Sequence, residues 1–436
     1  MPIGPVCDAQ GCRKVEPKQD GGLSTTQTVA RSTDYRMDGM TARQRDVRDA
    51  RLGFWAIRFV FMVEAIIIGA WLVRIPDMKI ALNLSDGVLG LCLVGLPVGT
   101  LVGFSIAAPI VGGLGLRRAC MIAGPAFAFS FMLPGFSTSA VMFFALLVVC
   151  GLTVAQIEVG MNTKAGQMEA AFRRRIMAQC HGFWSIGTVV GALIGGAFAE
   201  LGVSMAAQFL IAGPFFALAA WYAGKRLPGE APNDRAASSG GFFVLPDGAL
   251  ILLCLMPVGI MLLEGAMMDW SAVFVRELIL DDPFAAAATF SVFSAMMAVT
   301  RLLGDALATR FGPVPVVLVS CLTAGLGIGI FAFAPVFELV LLGAALTGAG
   351  VATVYPLAVS AAAAAPGKSR EANVAAVSFI AFSAFLVGPP VIGGLAELFD
   401  LRIALGLMVL AALGSASLAS RAGERRTARA ETLAGD

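Results

Sequence analysis

Glu64, Glu158, Glu264 and Asp269 each stand inside an otherwise apolar run of this chain. An ionised carboxylate is expensive in such surroundings, so each is a candidate functional group. Glu158 leads. It stands four residues before Asn162 at the end of one run, and a basic turn (Lys164, Arg173, Arg174, Arg175) separates it from a second run that opens with His181 and Trp184. A low dielectric disfavours the charged form, which suits Glu158 to take up and release a proton; the rival reading is a structural hydrogen bond to a neighbouring helix. Glu64 sits mid-run, and Arg58, six residues away, lies off its helical face. His181 and Trp184 are three apart and share a face. The indole is suited to stack on a sugar or an apolar ligand. His181 is the only histidine, a residue type that titrates near neutrality; bracing the loop is its other reading. Glu264 and Asp269, five apart, point in different directions beside Trp270. The three are candidate substrate contacts, as is Asn162, with an interfacial belt as the alternative for Trp270.

These residues need a membrane scaffold. The chain has 436 residues, 58% hydrophobic and 14% charged, against about 25% charged in soluble domains. Twelve apolar runs are expected, at about 54–73, 86–111, 118–136, 140–163, 180–200, 205–223, 247–270, 284–308, 314–334, 336–358, 372–396 and 402–420, each long enough to cross a bilayer. Residues 1–50 are polar, without a signal-peptide run, and predict a disordered cytoplasmic tail. The expected order is then an N-terminal half at 51–224, a linker at 225–245 rich in Pro, Gly and Ser, a C-terminal half at 246–420 and a tail at 421–436. With both ends inside, the inner loops and C-terminal tail hold sixteen Lys and Arg, and the outer loops four: Arg74, Lys79, Arg276 and Arg402. That bias places both termini in the cytoplasm. The small residues Gly187, Gly191 and Gly195, at four-residue spacing, allow a neighbouring helix to come close.

The halves echo each other. GALIGGAFAEL (Gly191–Leu201) matches GPPVIGGLAEL (Gly388–Leu398), and GGLGLRR (Gly112–Arg118) matches the end of RLLGDALATRFG (Arg301–Gly312). Parallel six-helix repeats place a substrate site near the membrane midplane between them. The eight cysteines fall mostly in apolar runs, and Cys7 with Cys12 is too little for a metal site; no metal or cofactor is expected. No Walker loop, zinc-protease helix or nucleophile–base pair appears, which argues against ATP coupling and against an enzyme.

Twelve helices in two halves, with Gly304, Asp305, Arg310 and Gly312 after the eighth run, resemble the major facilitator superfamily. More narrowly, WLVRIPDMKIALNLS (Trp71–Ser85), IEVGMN (Ile157–Asn162), HGFWSIG (His181–Gly187), EGAMMDWSAVF (Glu264–Phe274) and VGPPVIG (Val387–Gly393) are similar to its fucose-permease-like branch. The resemblance covers roughly residues 54–420. It implies proton coupling at Glu158, the carboxylate four residues before an Asn. It also implies an Asp on the first helix four residues before a Pro. That place is Leu72 here, and Glu64, two turns deeper, either substitutes or pairs with Arg58. It implies a gating latch at Arg301, Asp305 and Arg310, whose first-half copy keeps Arg117 and Arg118 but lacks the Asp.

The expectation is an all-α integral membrane protein of twelve helices in the bacterial inner membrane. It is a monomeric secondary transporter, proton-coupled, for a small polar solute such as a sugar or sugar derivative, with no nucleic-acid partner. An efflux antiporter of amphipathic compounds and a non-transporting membrane sensor are the alternatives.

Overall fold

A computed structural model describes residues 51–172, 176–229, 248–365 and 370–423. The predicted N-terminal tail, most of the linker and of the C-terminal tail, and the basic residues Arg173–Arg175 and Lys368 lie outside the described residues. Those described are helical, with no strand among them. Eleven helices are long and apolar enough to cross a membrane: α1 (Arg51–Ala81), α2 (Asp86–Ala107), α3 (Leu116–Phe136), α4 (Ala140–Phe172), α5 (Gln179–Glu200), α6 (Met205–Lys225), α7 (Leu250–Leu278), α8 (Pro283–Phe311), α9 (Pro313–Phe333), α10 (Phe337–Ala363) and α11 (Ala372–Leu398). The twelfth run forms a shorter apolar helix, α12 (Leu401–Ser417), followed by the single turn Ala419–Ala422. In α1 the helix breaks before Pro76, and in α7 at Pro257, because proline cannot donate to the helical ladder.

One helix departs from the hydropathy pattern. α4 continues to Phe172, nine residues past the end of its apolar run, so Lys164 is a helical residue and is buried. Hydropathy marks where the bilayer ends, whereas a helix outside it continues while propensity allows. Helix starts carry the expected caps: Asp282 accepts from the Ala285 N–H before Pro283, and Ser204 accepts from the Ala207 N–H. The helices containing α2 and α8 both end on a glycine with positive φ, Gly115 at 82° and Gly312 at 86°, a conformation that favours glycine at a helix end. This backs the repeat read between GGLGLRR and the end of RLLGDALATRFG.

Within the first half α2 packs on α4, and α3 on α4 and α6; within the second, α9 packs on α10 and α12, and α7 on α11. The halves meet along α5–α8 and α2–α11. Small residues make these approaches possible. A Cβ on Gly191 would stand 2.1 Å from the Ile66 carbonyl oxygen of α1, and one on Gly393 would stand 2.5 Å from the Asp86 carbonyl oxygen of α2. We expect Gly191→Ala to lower the thermal unfolding midpoint in detergent, since overpacking costs about 1–3 kcal/mol and here the obstacle is backbone. Gly182→Ala, where nothing lies within 4 Å, is the control and should leave the midpoint unchanged.

Candidate functional site

α1, α4 and α5 bring four of the predicted groups together. Glu64, 4% exposed, accepts a 2.6 Å hydrogen bond at Oε2 from the Trp184 indole Nε1. Asn162 donates from Nδ2 to Glu158 Oε2 at 2.6 Å and to the Glu158 carbonyl at 3.0 Å. Glu158 lies near enough to Glu64 for their charges to interact. Arg58 turns elsewhere, donating to Gln179 Oε1 and lying over the Trp55 ring. Of the two roles read for Glu64, pairing with Arg58 is therefore not what forms. Trp184 spends its polar edge on Glu64, so any stacking must use its ring face. We expect Trp184→Phe to destabilise the fold by about 1–3 kcal/mol, because it strips a buried acceptor of its donor. Thermal unfolding of the purified variant measures this.

His181 packs edge-on to Phe61 of α1 with ring centroids 5.4 Å apart and, across the half interface, lies within electrostatic reach of Arg301 on α8. Arg301 meets Glu264 of α7 at 3.8 Å and donates to the Ala352 carbonyl and to Met297 Sδ. Glu264 is in turn within electrostatic reach of Tyr355 on α10, whose hydroxyl lies 2.9 Å from Ser378 Oγ on α11. Sequence reasoning placed Arg301 in a loop cluster with Asp305 and Arg310. Its long side chain instead runs along the helix to Glu264. Asp305 is exposed, Arg310 lies over the Phe311 ring, and no ion pair joins the three among the described residues. In the first half Arg117 donates to the Lys225 carbonyl and Arg118 is exposed. Trp270 is fully buried at 0% exposure, so the membrane-interface belt is not its place. Asp269 is partly accessible within α7.

A second constellation, missed in the sequence, ties the halves at the predicted outer end. Lys79 of α1 meets Asp86 of α2 at 2.6 Å and Glu277 of α7 at 2.6 and 2.7 Å. Arg276 pairs with Asp77 across the interface, and Asp77 also pairs with Arg74. Glu397 of α11 accepts from the Gly87 N–H at 3.0 Å. Arg74 is held further by Gln208 and the Val203 carbonyl. A cavity of about 300 Å³ borders Arg74, Asp77 and Arg276. The clue available in the sequence was the matched pattern at the ends of runs one and seven: Trp71 then Arg74 and Asp77, Trp270 then Arg276 and Glu277. Among the described residues no His, Cys, Asp and Glu gather in a group able to hold a metal.

A family model described as Major Facilitator Superfamily matches residues 53–305 and 265–435. An uncharacterized transporter of Sinorhizobium fredii is 31% identical over 353 residues, which cover 79% of this chain and 91% of that protein. An uncharacterized MFS-type transporter of Yersinia pestis is 30% identical over 366 residues, 83% of this chain and 94% of that one. A mutant crystal structure of the nucleoside transporter NupG shares the fold with a TM-score of 0.69 at 12% identity, covering 85% of this chain and 99% of that one.

Proposed function

The chain belongs to the Major Facilitator Superfamily, and from that premise we propose that it couples proton movement to the movement of a small polar solute by alternating access. It is an integral membrane transporter and not an enzyme. The observation that carries the proton reading is the pair Glu64 and Glu158, near enough for their charges to interact, each with its own neutral donor, Trp184 and Asn162. Neither donor brings a cation to balance the charge. An ionised carboxylate without one is costly in a low dielectric, so a proton is the natural counter-charge when the halves rock. Asn162 engages Oε2 of Glu158 and leaves Oε1 to carry it. The solute binds between this pair and the Glu264–Arg301 pair, with Trp184 and His181 on one wall and Tyr355 on the other. With the ends assigned by loop charge, the ties Asp77–Arg276, Lys79–Glu277 and Gly87–Glu397 close the outside, and the site opens to the cytoplasm.

The test is accumulation in proteoliposomes. Tracer solutes from a panel of sugars and sugar derivatives are offered under an imposed inside-alkaline pH gradient. The proposal expects uptake above equilibrium for at least one solute, collapsing when a protonophore is added. Uptake that equilibrates and ignores the gradient argues against it.

A further inference from the structure

α3 begins with Leu116, Arg117 and Arg118, and α6 ends beside it at Lys225, followed by Arg226. Arg117 donates to the Lys225 carbonyl at 2.7 Å, which joins the two helix ends. Lys225 lies over the Trp221 ring at 5.0 Å and Arg226 over the Tyr222 ring at 4.9 Å. Both rings are exposed, and amphipathic rings of this kind sit at the level of the lipid headgroups. With the ends assigned by loop charge, this edge meets the cytoplasmic leaflet. Residues 112–118 and 221–227 include no Asp or Glu. Among the described residues Arg118, Lys225 and Arg226 form no ion pair. The edge therefore presents positive charge that neither segment balances.

Beside this edge lies a crevice of about 100 Å³ between α3, α4 and the helix that contains α2 and runs to Leu114. Ile110 and Leu114 line one wall and Ile122 and Ala126 another, and Thr153 and Gln156 of α4 are its only polar lining. Ile110, Leu114 and Ile122 are exposed, so the crevice opens on the outer surface of the bundle, where the hydrocarbon lies. Arg118, Ile122 and Ala126 follow at four-residue spacing and share a face of α3. Arg118 thus stands at the cytoplasmic mouth of the crevice, about 6 Å along the axis from Ile122. Its Cβ leans towards the helix start, and so towards the headgroups. An apolar crevice with a cation at its mouth matches a molecule that has both an acyl chain and a negative headgroup. A soluble anion would use the cation and leave the crevice empty. A lipid without net charge would fill the crevice and leave the cation unanswered.

We propose that an anionic phospholipid binds here, its phosphate against Arg118 and one acyl chain between Ile110, Leu114, Ile122 and Ala126. Arg117 and Lys225 flank the headgroup. At the matching edge of the second half Asp305 stands on the same helix as Arg310, so the chain carries its own negative charge there. In the first half the lipid supplies it, and it braces the turn between α2 and α3 whichever solute is carried.

The full chain in detergent is titrated with three probes. Dioleoyl phosphatidylglycerol has chains and charge, dioleoyl phosphatidylcholine has the same chains and no net charge, and glycerol phosphate has the charge and no chains. Binding is read as a rise in melting temperature. Phosphatidylglycerol is expected to act at lower concentration than either control. Arg118→Gln should raise its half-maximal concentration about fivefold, the weight of one basic residue near an anionic headgroup. Arg118→Lys should keep most of the binding and shows that the fold is intact. Ala126→Trp, which fills the crevice from an exposed position and alters no charge, should weaken phosphatidylglycerol binding as well. Arg310→Gln, an equal loss of charge in the second half, should leave it unchanged. Equal action of phosphatidylcholine would mean that the headgroup is not read, and equal action of glycerol phosphate that no chain is held. Either result overturns the proposal. So does an Arg310→Gln effect as large as that of Arg118→Gln, or undiminished binding in Ala126→Trp.

Discussion

Glu158→Gln abolishes accumulation while leaving exchange intact; that is the result expected of a carboxylate that carries the coupled proton. With one proton per solute, a pH gradient of one unit supports about tenfold accumulation, since one unit is worth about 1.36 kcal/mol. The variant should reach a ratio near one. The amide keeps the shape and still accepts from Asn162 Nδ2, the bond now made to Glu158 Oε2 at 2.6 Å, so binding and counterflow between labelled and unlabelled solute should persist. Tracer measurements in both modes separate the outcomes. Loss of counterflow as well would assign Glu158 to substrate binding, and full accumulation would remove it from coupling.

Glu277→Lys is expected to unlock the predicted outer end. It turns the contact of Lys79 with Glu277, 2.6 Å in this structure, into a like-charge pair. Lys79 is only 11% exposed on its side chain and Glu277 33%, so screening is weaker than for a surface pair worth up to about 1 kcal/mol. Removing the tie and adding repulsion together shift the balance between closed and open outer ends by about tenfold or more. Cysteine pairs placed across α1 and α7 at that end should cross-link less readily in the variant. Glu277→Gln, which removes the tie without repulsion, should fall between. Unchanged cross-linking in both would mean that the Asp77–Arg276 and Gly87–Glu397 ties and the glycine contact of α2 with α11 hold the closure without Glu277.

Both predictions rest on contacts that differ in how far the sequence discloses them. Glu158 and Asn162 are four residues apart on one helix, and their bond follows from that spacing. The spacing also counts against Arg58 as the partner of Glu64, but it cannot supply Trp184, 120 residues away; that pair exists because Gly187, Gly191 and Gly195 bring α5 against α1. The small-residue spacing was legible, and which helix it would receive was not. Hydropathy located the membrane runs, yet it missed the nine helical residues from Lys164 to Phe172, because polar residues sustain a helix as well as apolar ones outside the bilayer. Arg301 was placed by its backbone position at the loop. A side chain with several carbons reaches well beyond its own turn, and its pairing with Glu264 is decided by the neighbouring helix. The ties at the predicted outer end join residues near 80 to residues near 277 and 397. No local pattern records such pairings, and only the repeated Trp–Arg–acid order hinted at them.

The most direct measurement is the pH outside lightly buffered proteoliposomes when solute is added with no gradient imposed. For a solute found by the accumulation assay, the account predicts that the medium turns alkaline as protons enter with it, and that Glu158→Gln gives no change. Solute entering while the external pH stays flat, or an equal pH change in Glu158→Gln, would contradict proton coupling through this residue.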